Sequence, residues 1–371
     1  MNTPQDFTQL FKSFSPQWEL FEGKSFVVYG AGSFGQWVAK VLIDQQQTVK
    51  YFLDQREGLT SINDIPVYQP QQHQCLDKNV VVVIGVFNAY VDLQEIYSFL
   101  KKVGFLSILN AVEFYHHFPQ PLSERFWLTQ IAAYQQYQEE IIAGYDYWAD
   151  ENSKSLYMKL WEYRLTGKYY CLPTPSGIVT QYFPTDIPKW VTPLRLIDCG
   201  AYTGDTLEHF QEAHIPLDTV VAFEPDLKNF SKLVETSKYL QVEGEIYLYP
   251  CGAYSKTQLI RFNSKEVSDG SSISETGEEI IQAVSIDECL PHFFPTLIKM
   301  DIEGAEIPAL LGAQKTIRKY RPGLAICAYH RPHDIWQIPK IISEWHLEYK
   351  FYLRTHGYSE FDSVIYGIPQ T

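Results

Sequence analysis

Cysteine is sparse in this chain of 371 residues, and the six present (Cys75, Cys171, Cys199, Cys251, Cys289 and Cys327) form no CxxC pair. That scatter argues against a disulfide framework or a zinc site and for reduced, mostly buried thiols. Long apolar runs are also missing. Stretches such as VVVVIGVF around residue 84 fall far short of the about 20 residues that span a bilayer, so no membrane insertion is expected. The first residues, MNTPQDFTQLFKSFSPQWEL, lack the basic and apolar regions of a secretory signal, and a cytoplasmic location is expected. Positive charge is in deficit: Lys and Arg number 30 against 44 Asp and Glu, a formal net charge of −14. Residues 191–371 alone hold 25 acids and 16 bases. Nucleic acid and anionic membranes are poor partners for such a surface, because phosphate binding rests on local positive charge. No fixed-period repeat is visible, which excludes solenoids.

What is present is an ordinary globular composition, 45% hydrophobic and 20% charged, with length enough for two cores. Short β-branched runs alternate with helix-like stretches in SFVVYGAG, VKYFLD, IPVYQP, VVVVIGVF and FLSIL, the pattern of βαβ units and a parallel sheet. This predicts an amino-terminal Rossmann-like domain over residues 1–118. Residues 119–190 carry many aromatics and helical spacing, as in ERFWLTQIAAYQQYQEEIIAGYDYWA and SKSLYMKLWEYRLTG, and read as a helical connector. Alternation returns over residues 191–371 in LRLIDCG, TVVAFEP, EIYLYPCG, QAVSIDE, LIKMDIEG, GLAICAYH, YKFYLRTH and SVIYGIP. The fold class expected is α/β, with two doubly wound domains, the second ending in an antiparallel strand pair.

Two strand-glycine-helix turns stand out. In the second, LIDCGAYTGDT, Asp198 closes a buried strand, Gly200 and Gly204 allow close backbone approach, and a helix begins after Tyr202, Thr203, Gly204 and Asp205. Ligands in open α/β sheets bind at such strand ends. The spacing departs from the pyrophosphate fingerprint GxGxxG and suits a ligand without phosphates. Glu224 ends the next strand in VVAFEPD, where an acid takes ribose hydroxyls. S-adenosylmethionine fits both features, with Asp198 or Asp205 meeting its amino-acid end.

LIDCGAYTGDT, FEPD, SIDE, LIKMDIEGAE with ALLGA, and YHRPHDIW, YLRTH and SVIYGIP together resemble the FkbM family of S-adenosylmethionine-dependent methyltransferases, over about residues 150–371. The resemblance implies a class I methyltransferase fold and O-methylation of a hydroxyl on a sugar, polyketide or related small molecule. The partner implied is a small-molecule or glycan acceptor; a homo-oligomer is compatible with the chain. Cys251 and Gly252 follow the third strand, where the adenine of a class I cofactor lies, and Ser271 and Ser272 are weaker candidates for the same ring.

An alcohol acceptor must lose its proton, so a base is needed within hydrogen-bond reach. KMDIEGAE ends the fourth strand and makes Asp301 the first candidate, with Lys299 on the same strand face holding it ionised. Glu303 and Glu306 fall at a helix start, where acids complement the macrodipole in any protein. His330 follows GLAICAY at another carboxyl end, and a histidine of ordinary pKa accepts a proton near neutrality. His356 is a further candidate for the same mouth; His333 and His346 read as surface or packing residues. No metal is expected, since no second ligand set is identifiable from spacing.

The first turn is a literal GxGxxG at Gly30, Gly32 and Gly35, with Asp54 placed for a ribose. It supports a rival reading as an NAD-dependent oxidoreductase or sugar-nucleotide enzyme, although only Asn88 and Tyr90 follow as possible reactive groups. A non-catalytic cofactor-binding protein is the third reading.

Overall fold

The fold was analysed in a computed structural model, which describes residues 8–11, 21–118, 124–263, 272–273 and 279–370. Ser271 lies outside the described residues, as does the side chain of Ser272. The chain divides into two compact units. The first comprises residues 1–142, 155–175 and 357–361, and the second residues 143–154, 176–356 and 362–371. The segment read as a connector thus contributes to both. Its helical spacing is realised in Ile131–Gln135, Gln138–Ala143 and Glu151–Thr166. Among the described residues no helix is long and apolar enough to cross a membrane.

The first unit is built on strands β1 (Ser25–Tyr29), β2 (Thr48–Leu53), β3 (Ser61–Ile62), β4 (Ile65–Tyr68), β5 (Val81–Ile84) and β6 (Ser107–Leu109). Their order is β3-β4-β2-β1-β5-β6, parallel except for the β3–β4 pair. Every residue of β5 is buried, which is why VVVI runs without polar alternation. Helix Leu93–Lys102 shows how sequence sets element ends: the Asp92 side chain accepts from Gln94 N–H, Leu93, Ile96 and Leu100 form the buried stripe, and Lys101 and Lys102 sit in the last turn. Asn110 caps the next helix, Ala111–His117, in a reciprocal box with Glu113, and its amide also donates to the Gly167 carbonyl at 2.7 Å. Asn110→Ala is expected to cost about 1–2 kcal/mol of stability, measurable as a lower urea midpoint.

The second unit holds seven strands in one sheet: β7 (Leu194–Cys199), β8 (Leu217–Phe223), β9 (Ile246–Tyr249), β14 (Leu297–Met300), β15 (Gly323–Cys327), β16 (Tyr349–Thr355) and β17 (Ser363–Pro369). The order is β16-β17-β15-β14-β7-β8-β9. Strands β9, β8, β7, β14 and β15 run parallel, and β17 inserts antiparallel between β15 and β16. This is the doubly wound sheet with a terminal antiparallel pair that the alternation predicts. QAVSIDE belongs elsewhere. As β13 (Glu279–Val284) it joins β10 (Gly252–Ala253), β11 (Gln258–Asn263) and β12 (Ser272–Ile273) in a separate four-stranded sheet. Strand order reverses between β7 and β14, and the crevice outside their carboxyl ends is where a ligand of such a sheet binds.

Candidate active site

The turn after β7 is shaped first by protein contacts. Gly200 has φ of 78°, and a Cβ there would lie 1.9 Å from the Asp301 carbonyl oxygen. Gly204 has φ of 94°, and its Cβ would meet the Thr236 side chain at 2.8 Å. Both glycines are therefore required by left-handed backbone and by neighbouring chain, before any ligand is considered. Gly204 also caps helix Asp205–Glu212 without supplying a side-chain acceptor, so the amino-terminal N–H groups of that helix keep their capacity for a carboxylate. Tyr202 and Asp205 are exposed in this turn and Thr203 half-buried.

Glu224 stands at the end of β8. Its Oε2 accepts from Tyr202 N–H and its Oε1 from Asp226 N–H, each at 2.9 Å. Each oxygen retains a further lone pair. Burial pushes its pKa up to about 7 and the negative Asp226 adds to the rise, while the two backbone donors and Lys299 act against it. Asp198 is different from expectation. It is fully buried, and its Oδ1 lies 2.9 Å from Lys299 Nζ, its register partner on β14, so its charge is already paired within the protein. Burial raises its pKa to about 6 against the pull of Lys299. Asp205 remains the acid of the turn open to a ligand. Cys251 and Gly252 are buried at the start of the small sheet, and burial lifts the Cys251 thiol to about 12.

Lys299 also donates to the Gly200 carbonyl at 2.6 Å. Its contribution to Asp301 acts through space: burial favours the neutral acid, yet Lys299, His330 and the Tyr182 hydroxyl together hold Asp301 below the usual carboxylate range. Tyr182 donates to Asp301 Oδ2 at 2.8 Å. His330 Nε2 lies 3.4 Å from Asp301 Oδ1 and 3.7 Å from Glu303 Oε2, and its Nδ1 is 2.8 Å from Glu306 Oε1. Glu306 is fully buried and also accepts from Ile302 N–H at 2.8 Å. It is an internal anchor for His330 as well as a helix-start acid. Burial works against a charged imidazole, but Glu306, Glu303 and Asp301 overcome it and lift His330 to about 10. At neutral pH that favours an imidazolium, which has no lone pair left to accept a proton. Burial raises Glu303 to about 7.

Residues 198–360 match the family model described as the methyltransferase FkbM domain. The chain carries a methyltransferase FkbM domain. None of the curated proteins matches the chain. The crystal structure of the methyltransferase FkbM from Methylobacillus flagellatus KT is similar over 98% of this chain and 100% of its own, with a TM-score of 0.79 and 20% sequence identity. At that identity the likeness speaks for the fold. The FkbM domain makes the chain a methyltransferase and implies S-adenosylmethionine as its usual methyl donor.

The crevice of the FkbM domain fits that donor: a buried carboxylate with spare acceptors at Glu224 and a helix start after Gly204 that no side chain caps. Two features escape sequence reasoning. Tyr182 comes from YFPTDI, which no spacing rule joins to Asp301, and Glu306 reaches His330 only because β14 and β15 are neighbours. His356 is buried, with Nε2 2.7 Å from Tyr366 Oη and Nδ1 2.9 Å from Ser176 Oγ. Burial lowers its pKa to about 4, which makes it a neutral structural residue. His346 is exposed, and the His333 side chain is 39% exposed.

The first unit's glycine turn has its own economy. A Cβ on Gly35 would lie 1.9 Å from the Gly30 carbonyl, so this glycine serves close helix-strand packing. Asp54 is already engaged: Oδ2 accepts from Ala31 N–H at 2.7 Å, and Arg56 donates to both carboxylate oxygens at 2.9 and 3.1 Å. Asn88 is held in a turn by Tyr90 N–H, and Tyr90 is exposed.

Proposed function

We propose that this chain is an S-adenosylmethionine-dependent O-methyltransferase acting on a hydroxyl of a small molecule or glycan. The observation that carries the reading is the convergence at one sheet end of a ribose-ready Glu224 and the Asp301–His330 cluster. When bound, the donor supplies a methyl group on a sulfonium: the acceptor oxygen forms the new C–O bond, the C–S bond breaks with its electron pair left on sulfur, and the hydroxyl proton is lost. Glu224 accepts from the ribose hydroxyls, and the helix start at Asp205 receives the amino-acid carboxylate. Asp301 takes the proton. A carboxylate suffices, because the attacking oxygen becomes strongly acidic as the new bond forms. Tyr182 and His330 fix the orientation of that carboxylate, and alignment with water exclusion supplies most of the acceleration.

The rival reading through the amino-terminal turn is less well supported, because a ribose there competes with Arg56 for Asp54. Calorimetry with S-adenosylmethionine, NAD and NADP separates the two. Binding of S-adenosylmethionine alone is expected, and binding of only a nicotinamide cofactor would overturn the proposal.

A pH dependence follows from Glu224. The ionised form is the one that accepts two hydroxyl donors, so affinity rises as pH climbs through about 7 and levels off above it. Asp226 and Lys299 are the charged groups that act on it. The dissociation constant at pH 6 is expected to be roughly tenfold weaker than at pH 8. Equal values at both pH would remove Glu224 from the donor site.

A further inference from the structure

The cluster at the ends of β14 and β15 contains more ligand atoms than proton uptake requires. The ligand atoms of Asp301, Glu306 and His330 lie within 4.8 Å of one another. The imidazole divides its nitrogens between two environments. Nδ1 is tied to Glu306 Oε1 at 2.8 Å, while Nε2 faces Asp301 Oδ1 at 3.4 Å and Glu303 Oε2 at 3.7 Å. Two ligand atoms each about 2.1 Å from one ion are separated by roughly 3.0–3.5 Å at angles between octahedral and tetrahedral. The Asp301 pair has that spacing, and Glu303, a third exposed, has room to close the remainder. The anchoring is also that of a ligand set: metal-bound histidines donate their other ring N–H to a carboxylate, and ligating carboxylates are themselves hydrogen-bonded. Glu306 fills the first role, and Tyr182 Oη, donating to Asp301 Oδ2, fills the second.

The geometry points to a divalent first-row cation held by Asp301 Oδ1, Glu303 Oε2 and His330 Nε2, with Glu306 orienting the imidazole. The cation takes the place of the proton on Nε2, and the two carboxylates balance its charge. Two oxygens and one imidazole favour ions such as Mn²⁺ over Ca²⁺ on one side and thiolate-seeking ions on the other. Three protein ligands leave positions for an acceptor hydroxyl, whose acidity rises beside the ion; its proton then passes to solvent or to the free oxygen of a carboxylate. This role rests on the methyl-transfer reading, whereas the cation site itself does not.

The test uses the full chain, stripped with a chelator and dialysed. Mn²⁺ is titrated while the free-ion paramagnetic resonance signal is followed, and S-adenosylmethionine binding is measured on the same samples. One Mn²⁺ per chain is expected. Asp301→Asn and Glu303→Gln should each weaken it at least about tenfold, and Glu306→Gln by about 10–100-fold, with S-adenosylmethionine affinity retained as evidence of folding. Absence of Mn²⁺ and Zn²⁺ binding by the unsubstituted chain, or equal binding by all three variants, would overturn the cation site. If S-adenosylmethionine still binds in that case, the methyltransferase reading stands. Mn²⁺ binding without S-adenosylmethionine binding would leave the cation site and overturn the donor site instead.

Discussion

Asp301→Asn should lower methyl transfer by about 10²–10⁴-fold, with affinity for S-adenosylmethionine changed less than about twofold. The substitution preserves shape and removes the negative charge on which both proton uptake and cation binding depend. The amide nitrogen would face either the Tyr182 hydroxyl or the His330 ring, both of which now present donors to the carboxylate. Transfer of labelled methyl to a deproteinised small-molecule extract reads the first quantity and calorimetry the second. Unchanged transfer would move the chemistry away from β14. Tyr182→Phe should cost less, roughly tenfold in kcat with little change in KM, since it removes one hydrogen bond to a charged group and leaves the charge.

Glu224→Gln is expected to weaken S-adenosylmethionine binding by about 10–100-fold, the loss of hydrogen bonds to a charged acceptor worth about 1.5–3 kcal/mol. The reason lies in the backbone as much as in the ligand. Both carboxylate oxygens are claimed, one by Tyr202 N–H and the other by Asp226 N–H. A carboxamide satisfies one of them and turns an N–H₂ toward the other, so the turn that receives the donor is disturbed together with the ribose contact. Glu224→Gln should also flatten the pH dependence between pH 6 and 8. An unaltered dissociation constant would mean that the ribose is held elsewhere.

The parallel sheets were legible because their central strands are buried on both faces. VVVV and LIKM admit no other reading once glycine turns and helical stretches bracket them, and the antiparallel finish of YKFYLRTH and SVIYGIP falls where expected. The QLIRFN strand escaped because it is half polar and pairs with β12 and β13, in the separate small sheet. Within the candidate site, strand-end position picked out Glu224, Asp301 and His330 as candidates, and the fold places them at or just beyond the carboxyl ends of β8, β14 and β15. It could not supply their electrostatics. His330 has an ordinary proton affinity in isolation, and only the packing of β15 against β14 surrounds it with Glu306, Glu303 and Asp301. Asp198 and Lys299 show what strand-end position leaves out: in-register pairing makes each the other's counter-ion, while Lys299 still helps to hold Asp301 ionised.

The contact between Gly200 and the Asp301 carbonyl has a consequence for anyone altering this protein. If the turn after β7 receives the donor and the end of β14 serves the acceptor, as proposed, the two meet backbone to backbone, and neither is adjusted without disturbing the other. Changing the acceptor should therefore proceed through segments outside β7 and β14, leaving that junction as the fixed hinge pin of the domain.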